Sequence, residues 1–372
     1  MNLTIPAAIE SVIPKHILSI PPYVPGKPIA ELERQMGIRG AVKMASNENP
    51  LGPAHAALRS LEQCLGESHV YPESSGPELR GAIASRFGLN SENVILGNGS
   101  DEIMQMCAHL FIQPGDEAVM GSNTFSMYRI VVQAFGGKAV CVPLKNYRFD
   151  LKAMASAVTD RTRLIFLAVP NSPTGTIVSK LEFENFLRAL PDGRFLVVID
   201  EAYREFVRDL DCPSGVNYLD GKLPVLVLRT FSKIYGLAGL RVGYGLGEPW
   251  LIELLNRVRP PFNVNSLAQV AARAALEDTE HLERSLSLTI RGILYLEEEL
   301  TRLGLKVIPS QANFVCFHVE CDAREVYEAL LKNGIIVRHL ASFGMNNCIR
   351  VTVGKEIDNQ EFIATLKQVL PS

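Results

Sequence analysis

Short apolar runs alternate with amphipathic stretches from about residue 90 to 247, and this alternation constrains the fold more than any other feature. The apolar runs have the length of strands, whereas the stretches between them, such as residues 180–190, have helical spacing. Strands that are apolar throughout are buried on both faces, which is typical of a parallel sheet covered by helices. The predicted strands are residues 94–97, 117–120, 138–142, 164–169, 195–200, 225–228 and 242–246. The sequence therefore predicts an α/β fold, a mainly parallel sheet with helices on both faces.

The pattern changes after residue 249, which predicts a smaller α+β domain. Residues 266–303 contain almost no Gly or Pro and indicate one or two long helices. The later predicted elements are strands at 313–318, 335–339 and 349–353 and helices at 322–332 and from about 357. We expect residues 1–45 to form an arm that joins the small domain, residues 46–270 the large domain and residues 271–372 the small one. The Pro-rich segment 21–28 is predicted to cross a surface beside the active site or a partner subunit.

Charge and composition exclude several classes of protein. The chain of 372 residues has 37 Lys plus Arg against 40 Asp plus Glu, so it lacks the basic excess of a nucleic-acid binder. No apolar run approaches the roughly 18 residues that span a membrane. The apolar N-terminus has no basic region and contains Pro6, Glu10 and Pro14, which argues against a signal peptide. Seven cysteines with no C-x-x-C pair indicate reduced thiols in a cytoplasmic protein.

The segment RTFSKIYGLAGLRVGYG at 229–245 carries the strongest chemical signal. It connects two predicted strands, and the strand ends of a parallel sheet are where ligands bind. An isolated Ser-Lys pair is usually only a surface charge. Here the hydroxyl of Ser232, the amine of Lys233 and the guanidinium of Arg241 together suit a phosphate with an electrophilic carbonyl nearby. Desolvation among cations would lower the pKa of the lysine and make its amine nucleophilic.

An acidic pair follows the apolar strand in FLVVIDEAYREF at 195–206. One interpretation is an ordinary acidic cap of a helix. The other is that Asp200, at the tip of the strand, is a buried carboxylate that pairs with a cationic nitrogen of a ligand, because burial without a partner is costly.

A glycine-rich turn in VILGNGSDEI at 94–103 predicts an anion site. Ser100 and Asp101 begin a helix after two glycines, and a helix N-terminus with free N–H groups binds anions. The dinucleotide fingerprint G-x-G-x-x-G fails, because residue 102 is Glu. The chain has no P-loop motif, no G-x-S-x-G motif and no His/Cys cluster with metal-ligand spacing, so no metal is predicted.

Together these segments resemble the fold-type I aminotransferases that use pyridoxal 5′-phosphate, and within them the histidinol-phosphate aminotransferases. The resemblance covers nearly the whole chain. The segments that carry it are YVPGKP at 23–28, SNENPLGP at 46–53, YPESSGPELR at 71–80, GNGSDEI at 97–103, PNSPTG at 170–175, DEAYREF at 200–206, RTFSKIYGLAGLRVGY at 229–244, PFNVN at 261–265, ANF at 312–314 and IRVTVG at 349–354.

The resemblance implies three catalytic roles. Lys233 matches the lysine that forms an imine with the cofactor and then moves the substrate Cα proton. Asp200 matches the carboxylate on the cofactor's ring nitrogen, and Tyr203 the phenol on its 3-hydroxyl. The residues expected to hold the phosphate are Ser100, Asp101, Ser232 and Arg241. Tyr71 matches a tyrosine that reaches the phosphate in the neighbouring subunit, which implies a homodimer with shared sites.

Two cofactor positions depart from the family pattern. Phe125 stands where a tyrosine commonly stacks on the cofactor ring, and stacking needs only the π-face. In PNSPTG, Ser172 stands where the second Asn of the family motif bonds the 3-hydroxyl. Asn171, Ser172 or a water could take over that bond, and our interpretation favours Asn171.

The substrate residues also follow from the resemblance. Arg350 and Arg338 match two arginines at the distal anion of the substrate, where guanidinium groups bind a phosphate or carboxylate in fork geometry. Tyr23 matches a tyrosine at the same phosphate, and Asn47 is expected near the site.

The activity implied is transamination of L-histidinol phosphate with 2-oxoglutarate, yielding imidazole-acetol phosphate and glutamate, in histidine biosynthesis. An aromatic amino acid aminotransferase and a threonine-phosphate decarboxylase are alternatives with the same cofactor. A regulator that binds the cofactor without catalysis is disfavoured, because the lysine, the aspartate and both arginines are present. No nucleic-acid or membrane partner is expected.

Overall fold

The computed structural model describes residues 5–23 and 25–370, apart from the side chain of Ala7. Residues 1–4, 371 and 372 lie outside the described residues, as does Val24 of the segment YVPGKP. The strands are β1 (Val42–Lys43), β2 (Val94–Gly97), β3 (Glu117–Gly121), β4 (Lys138–Val142), β5 (Thr162–Ala168), β6 (Leu196–Asp200), β7 (Val225–Thr230), β8 (Gly243–Gly247), β9 (Lys306–Ile308), β10 (Phe314–His318), β11 (Ile335–Ile336), β12 (Arg338–His339) and β13 (Cys348–Thr352). The helices are α1 (Ala7–Glu10), α2 (Lys15–Leu18), α3 (Ile29–Met36), α4 (His55–Cys64), α5 (Pro77–Phe87), α6 (Ser100–Phe111), α7 (Met127–Ala134), α8 (Leu151–Ser156), α9 (Lys180–Ala189), α10 (Pro249–Val258), α11 (Ser266–Glu277), α12 (Thr279–Arg302), α13 (Ala323–Lys332) and α14 (Glu356–Val369).

The large sheet has the strand order β2-β8-β7-β6-β5-β3-β4. All neighbouring pairs are parallel except those of β8, which runs antiparallel to β2 and β7. The central strands β5, β6 and β7 are buried almost throughout, as their apolar composition requires. The prediction of a mainly parallel sheet in an α/β fold is confirmed, and each of the seven predicted strands is present within two residues of its predicted bounds.

A second, smaller sheet is antiparallel and has the order β12-β13-β10-β9. The short strand β1 pairs in parallel with β11, so the chain just before the large domain is tied to the C-terminal part. Sequence reasoning missed β1 and β9, which have only two and three residues and therefore no visible periodicity.

The two largest hydrophobic clusters of the described residues underlie the seven-stranded and the four-stranded sheet. Helix α11 packs in the large core through Ala271, Ala272 and Ala275, whereas Ile293 and Leu296 of α12 belong to the smaller core. The packing thus favours a boundary inside α12 rather than at residue 270, and the division into domains remains a proposal.

The carboxyl ends of β2, β5, β6 and β7 meet at one edge of the large sheet, because these strands run in the same direction. The segments predicted to carry the chemistry begin at this edge. Among the helices of the described residues, none is long and apolar enough to cross a membrane.

Candidate active site

A cleft of about 410 Å³ opens at the carboxyl edge of the large sheet and reaches the smaller sheet. Twelve of the fourteen predicted site residues line it: Tyr23, Asn47, Ser100, Asp101, Phe125, Asp200, Tyr203, Ser232, Lys233, Arg241, Arg338 and Arg350. The Pro-rich segment lies beside the cleft as predicted, since Gly26 and Tyr23 both line it.

Lys233 lies in the loop that follows β7. Its Nζ donates a hydrogen bond to the carbonyl oxygen of Ser46 at 3.1 Å and lies 5.7 Å from the ring centroid of Tyr203. The loop needs Gly236, which has a φ of +70° and packs so closely on the backbone of Gly52 that a Cβ would collide with it. The amine is therefore held in the cleft by a close fit between two loops.

Asp200 ends β6 and is buried beneath the cleft. Its Oδ1 accepts a hydrogen bond from the backbone N–H of Ala202 at 3.0 Å, and its Oδ2 accepts one from the hydroxyl of Tyr128 at 2.6 Å. Burial raises the pKa of Asp200 to about 6, although both donors and the more distant Lys233 oppose the shift. No Lys or Arg of the described residues forms an ion pair with Asp200, so a cationic group in the cleft would stabilise its charged form.

Tyr203 is oriented by its neighbours. Its hydroxyl accepts a hydrogen bond from Asn47 Nδ2 at 2.8 Å, and its ring meets Phe314 edge-on at 5.2 Å. Asn47 has a φ of +58° and its Oδ1 accepts from the hydroxyl of Thr352 at 3.0 Å, which joins the cleft to the smaller sheet. The hydroxyl proton of Tyr203 thus remains available for an oxygen of a ligand.

The N-terminus of α6 forms the anion-binding end of the cleft. Gly99, with a φ of +80°, precedes Ser100, and a Cβ at Gly99 would lie 2.6 Å from a guanidinium nitrogen of Arg241. Another Arg241 nitrogen donates to the carbonyl oxygen of Ala238 at 3.0 Å. Burial raises the pKa of Asp101, whose carboxylate lies 3.7 Å from Arg241. Free N–H groups, a hydroxyl and a guanidinium here suit a phosphate.

Two arginines lie at the opposite end, directly across from each other on β12 and β13. Arg338 is the register partner of Arg350, and like charges in this position repel unless an anion lies between them. Arg350 is buried and donates to the hydroxyl of Ser172 at 3.1 Å and to the carbonyl oxygen of Ala45 at 2.7 Å. Its Nε has no partner among the described residues, and burial lowers its pKa. These groups suit a phosphate or carboxylate of a substrate.

The structure places Asn171 outside the lining of the cleft, so its bond to the 3-hydroxyl stays a prediction. Its amide does not line the cleft, because Oδ1 accepts from the hydroxyl of Thr124 at 2.7 Å and Nδ2 donates to the Asn123 carbonyl oxygen and to the Thr174 hydroxyl at 3.0 and 2.9 Å. Ser172 lines the cleft instead. In this structure the amide of Asn171 stabilises the turn through these three hydrogen bonds.

Tyr71 also lies outside the cleft lining of this chain. Its side chain is 80% exposed and stacks on Phe262 with ring centroids 4.6 Å apart. Its predicted contact with a neighbouring subunit remains a proposal.

Sequence reasoning missed two groups of the cleft. The carbonyl oxygen of Ser46 accepts from Lys233, and Tyr128 donates to Asp200. Tyr128 follows Phe125 by three residues, one helical turn, and this spacing was the available signal for it.

Comparisons with known proteins agree with this geometry. The chain belongs to the family described as aminotransferase class I and II, which matches residues 39–366. The predictions of an aminotransferase and of its fold are thereby confirmed.

Within this family, the chain is similar to proteins named histidinol-phosphate aminotransferase. The histidinol-phosphate aminotransferase of Moorella thermoacetica is 48% identical over 355 residues, which are 95% of this chain and 92% of that protein. Histidinol-phosphate aminotransferase 1 of Nitrosococcus oceani is 47% identical over 354 residues, 95% of each chain. The structure of the Sinorhizobium meliloti histidinol-phosphate aminotransferase in complex with pyridoxal-5′-phosphate has a TM-score of 0.89 at 30% identity and covers 96% of this chain and 97% of that one.

Proposed function

We propose that this chain transfers the amino group of L-histidinol phosphate to 2-oxoglutarate, giving imidazole-acetol phosphate and glutamate, in histidine biosynthesis. Relatives named histidinol-phosphate aminotransferase, which are 47–48% identical over 95% of the chain, support the proposal. The observation that carries it is the pair Arg338 and Arg350, opposite each other in the cleft that also contains Lys233 and Asp200. Two guanidiniums suit the phosphate of the amino donor and, in the second half-reaction, a carboxylate of the acceptor.

The cofactor we propose is pyridoxal 5′-phosphate, and the residues of the cleft fit it. Asp200 is a buried carboxylate without a cationic partner among the described residues, which suits the ring nitrogen. Gly99 leaves beside α6 and Arg241 a space that a Cβ would fill, which suits the phosphate. When bound, pyridoxal 5′-phosphate supplies an aldehyde that condenses with amines and a ring that accepts the electron pair left when the substrate Cα loses its proton.

The side chains of the cleft would have the roles in binding and catalysis that the sequence predicts. Lys233 would hold the cofactor through its amine until the donor amine displaces it, and would then move the proton of the substrate Cα. Asp200 would keep a proton on the ring nitrogen, and the Tyr203 hydroxyl would donate to the ring oxygen. Phe125 would stack on the ring. Ser100, Asp101, Ser232 and Arg241 would hold the phosphate.

The substrate would be oriented from the smaller sheet. Arg338 and Arg350 would bind its distal anion, and Tyr23 and Asn47 would complete that end of the cleft. With the anion fixed there, the donor amine would be held near Lys233, which is the positional part of catalysis.

We also propose a cytoplasmic homodimer. Tyr71 and Phe262 form an exposed aromatic pair, and a neighbouring subunit would receive Tyr71 at its phosphate site. Exposed apolar side chains nearby, Leu65 and Val70, would be covered by the same contact.

An amino-donor panel tests the proposed activity. The purified protein with pyridoxal 5′-phosphate and 2-oxoglutarate receives L-histidinol phosphate, L-phenylalanine or L-tyrosine, and glutamate is measured. L-histidinol is the matched control, because it lacks only the phosphate. We expect kcat/KM for L-histidinol to be lower by about 1,000-fold, since this donor has no phosphate for the two guanidiniums to bind.

Other outcomes would replace the proposal. Equal rates with L-histidinol and its phosphate would show that the cleft does not recognise the phosphate. Glutamate formed only from phenylalanine and tyrosine would indicate an aromatic amino acid aminotransferase. Carbon dioxide released from threonine phosphate, without glutamate formation from any donor, would indicate a decarboxylase.

A further inference from the structure

The phenol of Tyr128 lies between the cleft and the interior of the large sheet. Its side chain is fully buried, and its ring stacks on Phe166 with centroids 4.8 Å apart and planes 7° from parallel. Phe125 meets the same ring edge-on at 5.6 Å. These contacts fix the direction of the hydroxyl, which donates to Asp200 Oδ2 at 2.6 Å.

The hydrogen bond from Tyr128 is one of two that orient the carboxylate of Asp200. One carboxylate oxygen accepts from Tyr128 and the other from the Ala202 backbone, so each oxygen has one donor from the protein. The remaining lone pairs are available to a group in the cleft, which Asp200 lines. Tyr128 itself stays protonated, because burial and the adjacent carboxylate raise its pKa well above the usual value.

We propose that Tyr128 is a positioning residue that, through its hydrogen bond to Asp200, keeps this carboxylate charged and directed at the ring nitrogen of bound pyridoxal 5′-phosphate. The proposal rests on the proposed function. A hydrogen bond to a buried carboxylate stabilises its ionised form, and an ionised Asp200 in turn favours a protonated ring nitrogen. Without the hydroxyl, Asp200 would hold a proton more readily and the cofactor would lose part of its ion pair.

The test compares two tyrosine variants that each lose one buried hydroxyl. Tyr128→Phe removes the donor. Tyr244→Phe is the matched control, because Tyr244 is equally buried and its hydroxyl has no hydrogen-bond partner among the described residues. Near-ultraviolet circular dichroism establishes that both variants are folded.

Two readouts are independent of turnover. For Tyr128→Phe we expect the dissociation constant of pyridoxal 5′-phosphate to rise by about 10-fold, the effect of one hydrogen bond to a charged group. The ¹⁵N chemical shift of ring-labelled cofactor should move toward that of unprotonated pyridine. Tyr244→Phe should match the parent in both. In turnover, Tyr128→Phe should lower kcat and leave KM for L-histidinol phosphate within about twofold, because Arg338 and Arg350 are unchanged.

Cofactor affinity and ¹⁵N shift equal to those of the parent in folded Tyr128→Phe would overturn the inference. If that variant does not fold, the parent carrying 3-fluorotyrosine at position 128 replaces it. The ¹⁹F resonance of this residue should shift when the cofactor binds, because Asp200 would accept a hydrogen bond from the phenol and contact the ring nitrogen at the same time. An unchanged resonance would overturn the inference. A parent protein that binds no pyridoxal 5′-phosphate would instead refute the proposed function.

Discussion

Arg229 and Arg350 are buried to almost the same degree, with 7% and 6% of their surfaces exposed, but their surroundings differ. Arg229 donates to Glu201 at 2.6 and 3.0 Å and to Glu205 at 3.3 Å. Arg350 has a hydroxyl and a carbonyl oxygen as partners, no carboxylate among the described residues, and Arg338 opposite it.

The pKa values of the two arginines shift in opposite directions, as their different partners require. Burial alone would lower the pKa of Arg229, but Glu201 and Glu205 outweigh burial and raise it. For Arg350 burial dominates and lowers the pKa, and the charge of Arg338 adds to this effect. Removing a buried cation from its carboxylate partners leaves their charges buried without compensation, whereas a buried cation without carboxylate partners is prepared for an anionic ligand. The comparison separates a structural arginine from a binding one at equal burial.

The largest expected effect is on turnover when Arg350 is replaced. Arg350→Gln should lower kcat/KM for L-histidinol phosphate by about 1,000-fold or more, because it removes a buried charged partner of the substrate anion. The unfolding free energy of the cofactor-free protein should fall by no more than about 1 kcal/mol, since no carboxylate loses its partner. A large loss of stability in urea unfolding would contradict the comparison.

The converse is expected for Arg229. Arg229→Met should lower the unfolding free energy by about 3–5 kcal/mol, because Glu201 and Glu205 would remain buried without a cation. Arg188→Met is the control, as it removes an exposed ion pair with Glu184 and should cost less than about 1 kcal/mol. Similar urea midpoints for both variants would show that the buried pair is not structural.

A smaller, pH-dependent effect is expected at Asp200. Folding raises the pKa of Asp200 from 3.8 to about 6, so ionisation of this carboxyl opposes folding. The stability of the folded protein is therefore not reduced by Asp200 below about pH 4, and it falls as the pH rises through 6. In the cofactor-free protein, the unfolding free energy of Asp200→Asn relative to the parent should therefore increase by about 2 kcal/mol between pH 4 and pH 7. A difference that does not change with pH would contradict the buried, uncompensated carboxylate.

Much of the fold could be predicted because its signal is local. Strands such as β5 and β6 are apolar over most of their length, and burial on both faces requires that composition. Asp200 and Lys233 can be predicted as site residues because each follows such a strand, and the ends of parallel strands meet at one edge.

The missed features depend on contacts between distant parts of the chain or on the exact path of a turn. Tyr128 and Asp200 are 72 residues apart, and no local pattern pairs them. The sequence does not reveal that Asn171 lies outside the cleft, because this depends on the turn, which hydrogen bonds with Thr176 and Gly175 close. The pairing register of β12 and β13 likewise places Arg338 opposite Arg350. Neither sequence segment reveals this register by itself.

The most direct test of the account concerns the amine of Lys233. The protein is incubated with pyridoxal 5′-phosphate, treated with borohydride to reduce any imine, digested, and its modified peptide is sequenced by mass spectrometry. The account predicts a phosphopyridoxyl group on Lys233, and neither the modification nor the visible absorption of the bound cofactor in Lys233→Ala. Stoichiometric modification of a different lysine, or none in the parent protein, would contradict it.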